Sequence, residues 1–325
     1  MFHGDCDGVI AAYLYIKRYL RDLYPAGLNM IVTHPWRAHI DVKRAAGGSE
    51  LIVLDIALSE RLVEELGALA GRYKRVTVVD HHATSEPLVP KAERYARVVY
   101  SKATSTPRLL SQLIGAPLNP YESMLVDVAD ICEGRAPPPG SDSGILELVD
   151  SVRMSIALNP GDLDFMKYLL DLMMKSKDPS QDPVVRLRTR RAKFLLSSLL
   201  RVISEDSIDT GRVKIAFLGL PLSRAFAGLI GVASTELSRL YRKSVILVRE
   251  EQEKVVVTVR SNQRDALVLS QAIASSLSGT YGGHAEASSI TLGKEPVGEV
   301  VGKIVSIVLG ITALEPSSGR PSGEH

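Results

Sequence analysis

Residues 75–82 read Arg75-Val76-Thr77-Val78-Val79-Asp80-His81-His82. A β-branched run of this kind, apolar at consecutive positions, predicts a strand buried on both faces, the signature of a parallel sheet covered by helices. It ends abruptly on an acid and two imidazoles. Leu51-Ile52-Val53-Leu54 ends the same way, on Asp55. Between the two runs, Ser59 reads as the N-cap of a helix reaching about Arg72. Ala96-Arg97-Val98-Val99-Tyr100 is a third strand, and Thr106-Pro107 reads as an N-cap followed by Pro at the first helical position. Strand and helix alternate, so the first part of the chain is predicted to be α/β with a parallel sheet.

In open α/β sheets, ligands gather at the carboxyl ends of the strands. His3, Asp5 and Asp7, spaced by Gly4 and Cys6 and followed by Gly8 and an apolar helix, fit the end of a first strand. Together with Asp55, Asp80, His81 and His82 they deliver carboxylates and imidazoles from three strand ends to one edge. Taken singly, an acid at a strand end is more often a turn or cap residue, and a His pair more often surface or core. The joint pattern is what points to a site. So many acids together repel unless divalent cations compensate them, and mixed carboxylate and imidazole donors suit Mn²⁺, Fe²⁺ or Mg²⁺ in a two-metal arrangement.

The chain has 325 residues, enough for two domains. From Thr106 to about Ser204 the pattern is mostly helical, broken at residues 136–140 and 159–161. Val184–Ile203 reads as one long helix bearing Arg186, Arg188, Arg190, Arg191 and Lys193, which suit a nucleic-acid backbone or a solvated face equally well. Strands at 213–218, 244–249 and 254–259 alternate with helices at 223–241 and 266–277, predicting a smaller α+β domain. The expected organisation is a catalytic domain over 1–182, a connector helix over 183–205, a substrate-binding domain over 206–315 and a disordered polar tail over 316–325. Net charge is +2, which excludes a uniformly basic nucleic-acid glove. Two cysteines, Cys6 and Cys132, form no disulfide framework and fit a reducing cytoplasm. The chain opens directly on Met1-Phe2-His3-Gly4-Asp5, where no room for a signal peptide is expected. No apolar run reaches the roughly 18 residues a bilayer span needs, and the best candidate, near Val300–Leu314, is interrupted by Lys303 and Ser306. The expected setting is therefore cytoplasmic, away from membranes.

His3-Gly4-Asp5-Cys6-Asp7-Gly8 and Asp80-His81-His82 resemble the first and third signature motifs of the DHH family of phosphoesterases, and Asp55 resembles the second. Asp130, in Val126-Asp127-Val128-Ala129-Asp130, matches the fourth, with Asp127 as its competitor. Thr280-Tyr281-Gly282-Gly283-His284, preceded by Arg260-Ser261, resembles the glycine-rich loop and Arg-Ser pair of the DHH-associated C-terminal domain. Two departures stand out. Only Met1-Phe2 precede the first motif, and Tyr281 stands where glycine is common.

The resemblance implies two divalent ions, Mn²⁺ with Mg²⁺ as the other option. His3, Asp5 and Asp55 would hold one, and Asp7, Asp55, His81 and Asp130 the other. His82 would act as proton donor and Asp80 would orient an imidazole. Arg260, Ser261, Gly282, Gly283 and His284 would bind substrate phosphate. The implied activity is hydrolysis of short or single-stranded nucleic acid, of the exonuclease or oligoribonuclease type. The alternatives are a hydrolase of adenosine bisphosphate or a cyclic dinucleotide, or a non-catalytic replication-associated protein. A second copy of the chain and a replication or repair protein are the candidate protein partners.

Overall fold

The computed structural model describes residues 1–314 apart from 46, 116, 141 and 142; the predicted tail lies outside the described residues. The chain divides into two compact units, Met1–Lys193 and Phe194–His325.

The first unit is built on five strands: β1 (Phe2–His3), β2 (Val32–Thr33), β3 (Gly48–Leu54), β4 (Tyr73–Asp80) and β5 (Arg97–Tyr100). They pair in the order β2-β1-β3-β4-β5, and every pairing is parallel. Strand alternation sorts the side chains onto two faces. Leu51, Val53, Val76 and Val78 belong to a core with Ala38 of a short helical segment, α2 (Ala38–Asp41), with Val42 just after it, and with Leu62, Val63 and Leu66 of α3 (Glu60–Ala70). Ser59 caps α3 as expected, accepting a bond from the Leu62 N–H. Phe2, Leu54 and Val79 face the other way, into a core with α1 (Cys6–Tyr19). A single turn, α4 (Val89–Ala92), leads into β5. The helices α5 (Thr106–Leu113), α6 (Pro120–Cys132), α7 (Ser143–Ala157) and α8 (Leu163–Met174) complete the core around α1.

Proline and glycine break the helical stretch near the predicted points, and α9 (Pro183–Glu205) follows. The boundary between the two units falls within α9, after Lys193. Its cations are divided in use: Arg188 bonds Asp162 at 2.8 Å and lies over Phe165, and Lys193 pairs with Asp150. Arg186, Arg190 and Arg191 are exposed.

The second unit carries six strands: β6 (Ile208–Asp209), β7 (Val213–Leu218), β8 (Ser244–Glu250), β9 (Val255–Arg260), β10 (Thr280–Gly283) and β11 (Ala287–Leu292). Their order is β10-β11-β9-β8-β7-β6, mixed in direction, with β7 and β8 parallel and the other pairs antiparallel. The predicted helix over 223–241 is instead α10 (Leu220–Ala225) and α11 (Ile230–Tyr241), separated by a tight turn at Ala227–Leu229. Then come α12 (Ala266–Ser276) and α13 (Val297–Leu314). The apolar face of α13, Val300, Val301, Ile304 and Val308, is buried in the core of this unit. Among the described residues no helix is long and apolar enough to cross a membrane.

Candidate metal centre

The strand order places the reversal of winding at β1 and β3, and the crevice outside their carboxyl ends is where ligands bind in such sheets. His3 ends β1, Asp55 follows β3, and Asp80-His81-His82 closes β4. Asp55 sits at φ 58°, in the left-handed region. Asp and Asn enter that region more readily than other side chains. The turn lifts Asp55 off the sheet while its N–H bonds Val79 O at 2.9 Å. Gly8 is required by close approach, since a Cβ there would stand 2.3 Å from the His3 carbonyl oxygen.

Three groupings of donor atoms result, each with all members within 4.8 Å of one another. One joins His3, Asp5 and Asp55; a second joins Asp55, His81 and His82; a third joins Asp7, His81 and Glu133. Asp55 and His81 are each shared by two groupings. The structure thus brings together His3, Asp5, Asp7, Asp55, His81 and His82, and adds Glu133, which the sequence reading missed. Glu133 follows α6 immediately as its C-cap. Its only sequence signal is a position one helical turn beyond Asp130.

Each donor is held from behind. His81 Nδ1 faces the Ala103 carbonyl at 3.1 Å, which turns Nε2 towards Asp7 Oδ2 at 3.4 Å and Asp55 Oδ1 at 3.5 Å. A ring nitrogen anchored to a backbone carbonyl is a common way to orient an imidazole ligand. Thr106 supports two acids at once: its N–H donates to Asp7 Oδ2 at 3.1 Å and its hydroxyl to Asp55 Oδ1 at 2.8 Å. That use of Thr106 explains a shift in the cap of α5. Ser105, not Thr106, is the N-cap, accepting from the Arg108 N–H, and Thr106 is the first helical residue. Asp5 divides its oxygens, capping α1 through a bond from Gly8 N–H at 2.8 Å and pairing with His3 Nδ1 at 2.7 Å.

Asp130 is buried nearby, but it stands outside the three groupings. Ser105 donates to Oδ1 at 2.6 Å, and Arg108 and Arg135 each reach Oδ2 at 2.8 Å. Asp127 bonds Arg108 at 2.7 Å. Through Ser105, Asp130 braces the segment that carries Thr106. Asp80 bonds His82 Nδ1 at 2.7 Å and also accepts from Ser85, which leaves His82 Nε2 turned away from Asp80.

The electrostatics are those of acids crowded without compensation. Burial, then repulsion from Asp55, Glu133 and Asp5, holds the Asp7 carboxyl well above its ordinary range. Burial and the Asp5 charge raise Asp55 too. Glu133 is pushed up to about 8 by partial loss of water at its carboxyl and by the Asp5 and Asp55 charges, although the residue as a whole is exposed. For His3 and His82, burial favours the neutral ring, but the neighbouring carboxylates outweigh it. His3 rises well above 6.5, chiefly through Asp5, and His82 reaches about 9 through the hydrogen bond it donates to Asp80. Asp5, beside protonated His3, falls well below the usual carboxylate range despite burial. Asp7 is 1% exposed and its Oδ1 has no hydrogen-bond partner among the described residues. A buried carboxylate oxygen without a donor is costly, and a divalent cation satisfies both the lone pair and the repulsion. The donor set therefore fits such ions.

Cys6 and Cys132 correct the sequence expectation. They form a disulfide, with Cα atoms 6.4 Å apart, joining the N-terminus of α1 to the last residue of α6. Their sequence separation of 126 hid a pairing that only the packing of α1 against α6 creates.

In the second unit the strand register brings Arg260 and the Gly-Gly-His segment together. Arg260 ends β9 and pairs with Ala287, the first residue of β11, and the tight turn from His284 to Ala287 joins β10 to β11. Gly282 and Gly283 are not in a loop but close β10, opposite Ser289 and Ser288. Gly283 has φ 138°, and a Cβ there would meet the Ala287 carbonyl oxygen at 2.3 Å. Ser261 is buried, with its hydroxyl accepting from Ser244 at 2.9 Å and from the Gln263 N–H at 2.9 Å.

Fold and site together define a two-unit α/β protein with an acid–imidazole centre at a strand-end crevice. Residues 1–132 match the DHH family, N-terminal domain. No curated protein sequence matches the chain. Among solved structures, exonuclease RecJ bound to manganese is 18% identical, covering 97% of this chain and 89% of that one with a TM-score of 0.59. RecJ from Thermus thermophilus in complex with Mn²⁺ is also 18% identical, with a TM-score of 0.64 over 97% of this chain and 52% of that one. The pGpG-specific phosphodiesterase PggH from Vibrio cholerae is 14% identical, with a TM-score of 0.57 over 96% of this chain and 99% of that one. At these identities the shared property is the fold.

Proposed function

We propose that this chain is a metal-dependent phosphoesterase that cleaves phosphodiester bonds of short or single-stranded nucleic acid, using two divalent ions, Mn²⁺ before Mg²⁺. The observation that carries the reading is Asp55, buried at the switch of the sheet and shared by two of the three donor groupings. An acid in that position suits a ligand bridging two ions. His3, Asp5 and Asp55 would hold one ion. Asp7, Asp55 and His81 would hold the other, with a fourth acid drawn from the end of α6: Asp130, or Glu133 beside it.

When bound, such ions withdraw charge from phosphoryl oxygens and lower the pKa of water. The chain's own residues supply the rest. His82, hydrogen-bonded to Asp80, would donate a proton to the leaving oxygen or a hydrogen bond to a phosphoryl oxygen. Thr106 and Ala103 fix the directions of Asp7, Asp55 and His81, so little reorganisation accompanies binding. In the second unit, Arg260, Gly282, Gly283 and His284 are proposed to bind substrate phosphate, while Ser261 holds the strand end in shape. The working location proposed is the cytoplasm.

End-labelled RNA and DNA of several lengths, incubated with Mn²⁺ and with EDTA, test the reading. Mn²⁺-dependent release of mononucleotides supports it. No hydrolysis of any length in Mn²⁺ refutes it. Adenosine bisphosphate and cyclic dinucleotides in parallel reactions decide between oligonucleotide and small-nucleotide substrates.

A further inference from the structure

Tryptophan occurs once in the chain, as Trp36, and it is 54% exposed. It lies in the tight turn Pro35–Arg37, directly after β2, the strand beside β1. The turn is held firmly. The Arg37 guanidinium lies over the indole, 5.6 Å from its centre. Asp41 fixes that guanidinium with two bonds, Nε to Oδ2 at 2.8 Å and Nη2 to Oδ1 at 3.0 Å. Asp41 is itself 2% exposed and accepts from Thr33, the last residue of β2, at 2.7 Å. The indole is therefore presented to solvent by a chain of contacts anchored in the sheet. It also continues towards the metal centre. The His34 ring is parallel to it within 5°, with centroids 6.2 Å apart, and meets His3 edge-on at 5.6 Å.

We propose that Trp36, with the His34 ring parallel to it, is a base platform: the nucleobase of the nucleotide whose phosphate lies at the acid–imidazole centre stacks on the solvent-exposed part of this indole. The inference rests on the phosphoester reading and extends it to a subsite. Every base has a π face, so stacking on an aromatic ring gives affinity without sequence preference. The platform also binds the substrate away from the reacting phosphorus. Two other occupants of the surface, a second copy of the chain or an apolar patch of another protein, would leave base recognition unaffected.

As the sole tryptophan, Trp36 reports on itself. The full chain with Mn²⁺ is titrated with adenosine 5′-monophosphate and, separately, with ribose 5-phosphate. Emission is followed alongside calorimetry. Adenosine monophosphate is expected to quench the emission, and ribose 5-phosphate to bind without doing so. Trp36→Ala should bind adenosine monophosphate roughly 5- to 100-fold more weakly, with ribose 5-phosphate affinity unchanged. Trp36→Phe should recover most of the loss, and circular dichroism confirms that each variant is folded. Calorimetric binding of adenosine monophosphate with unchanged emission, or equal affinity in Trp36→Ala, overturns the platform. So does an emission change that tracks protein concentration and self-association instead of nucleotide. If hydrolysis of oligonucleotides persists in these cases, the platform alone has failed. If the wild-type chain neither binds these probes nor hydrolyses any substrate, the phosphoester reading falls and the platform falls with it.

Discussion

Asp55→Asn should separate the cost of the metal centre from its use. The substitution keeps the shape and suits the left-handed backbone at φ 58°, where Ala would be strained. It also keeps an oxygen to accept from Thr106. What it removes is charge. Asp7 Oδ2 and Asp55 Oδ1 lie 3.4 and 3.5 Å from the same His81 nitrogen, hence within about 7 Å of each other. At an effective dielectric constant near 20, two such charges repel by about 2–3 kcal/mol. The partial loss of the Asp55 ion pair with His3 offsets some of that relief. The metal-free variant is therefore expected to unfold no earlier than the wild type. The response to Mn²⁺ should differ sharply. An ion at one hundred times its dissociation constant stabilises the fold by about 2.7 kcal/mol. In a unit the size of Met1–Lys193, that corresponds to roughly 5–11 °C in Tm. Scanning calorimetry in EDTA and in Mn²⁺ measures both quantities, and inductively coupled plasma analysis counts bound metal. The wild type should show the shift, and Asp55→Asn should lose most of it together with hydrolysis. An equal Mn²⁺ shift and equal metal content in the two proteins would refute Asp55 as a shared ligand.

Stability of the metal-free chain should fall as pH rises from about 6.5 to about 9. His82 carries a folded pKa of about 9 against 6.5, so its contribution is complete below 6.5 and lost through 9. Asp7 and Asp55, also raised, act in the same direction, and a rise in metal-free Tm over that interval would contradict the crowding described. The Cys6–Cys132 bond closes a loop of 126 residues, which corresponds to up to about 5 kcal/mol. Intact mass without reductant should therefore be lower by two hydrogens than after reduction, and Cys6→Ser should unfold earlier under non-reducing conditions; identical masses would refute the pairing. Arg260→Ala should raise KM by roughly 10- to 150-fold through loss of a charge-assisted phosphate contact, with kcat less affected. Normal KM in both Arg260→Ala and His284→Ala would exclude a phosphate role for that end of the sheet.

Much of the first unit was legible because its determinants are local. β-branched runs gave β3, β4 and β5, and Ser59 gave the start of α3. Parallel strands running between helices leave their carboxyl ends on one edge, so His3, Asp55 and His81 were bound to meet wherever the individual side chains pointed. In the second sheet β7, β8 and β9 were legible for the same reason, whereas β6, β10 and β11 were not read as strands, and Gly228 lies where the expected single helix is interrupted.

What the sequence left open depends on distance across the fold. Whether Asp130 or Glu133 reaches the centre depends on the register of α6 against α5, because Ser105, Arg108 and Arg135 engage Asp130 first. The alternation of Cys6 with two acids was visible, but its approach to Cys132 follows from how α1 and α6 pack. Trp36 is a lone aromatic in a polar turn until β2 is seen beside β1, with His34 between the indole and His3. Sequence by itself determined the longer apolar strands, their shared edge and the kinds of atom delivered there, since hydrophobic periodicity and residue chemistry are properties of short segments; the short strands β2 and β6 and the pairing of β10 with β11 emerged only in the fold. Tertiary structure alone decided which of those atoms face one another, because helix register and side-chain competition for partners arise only when distant segments pack.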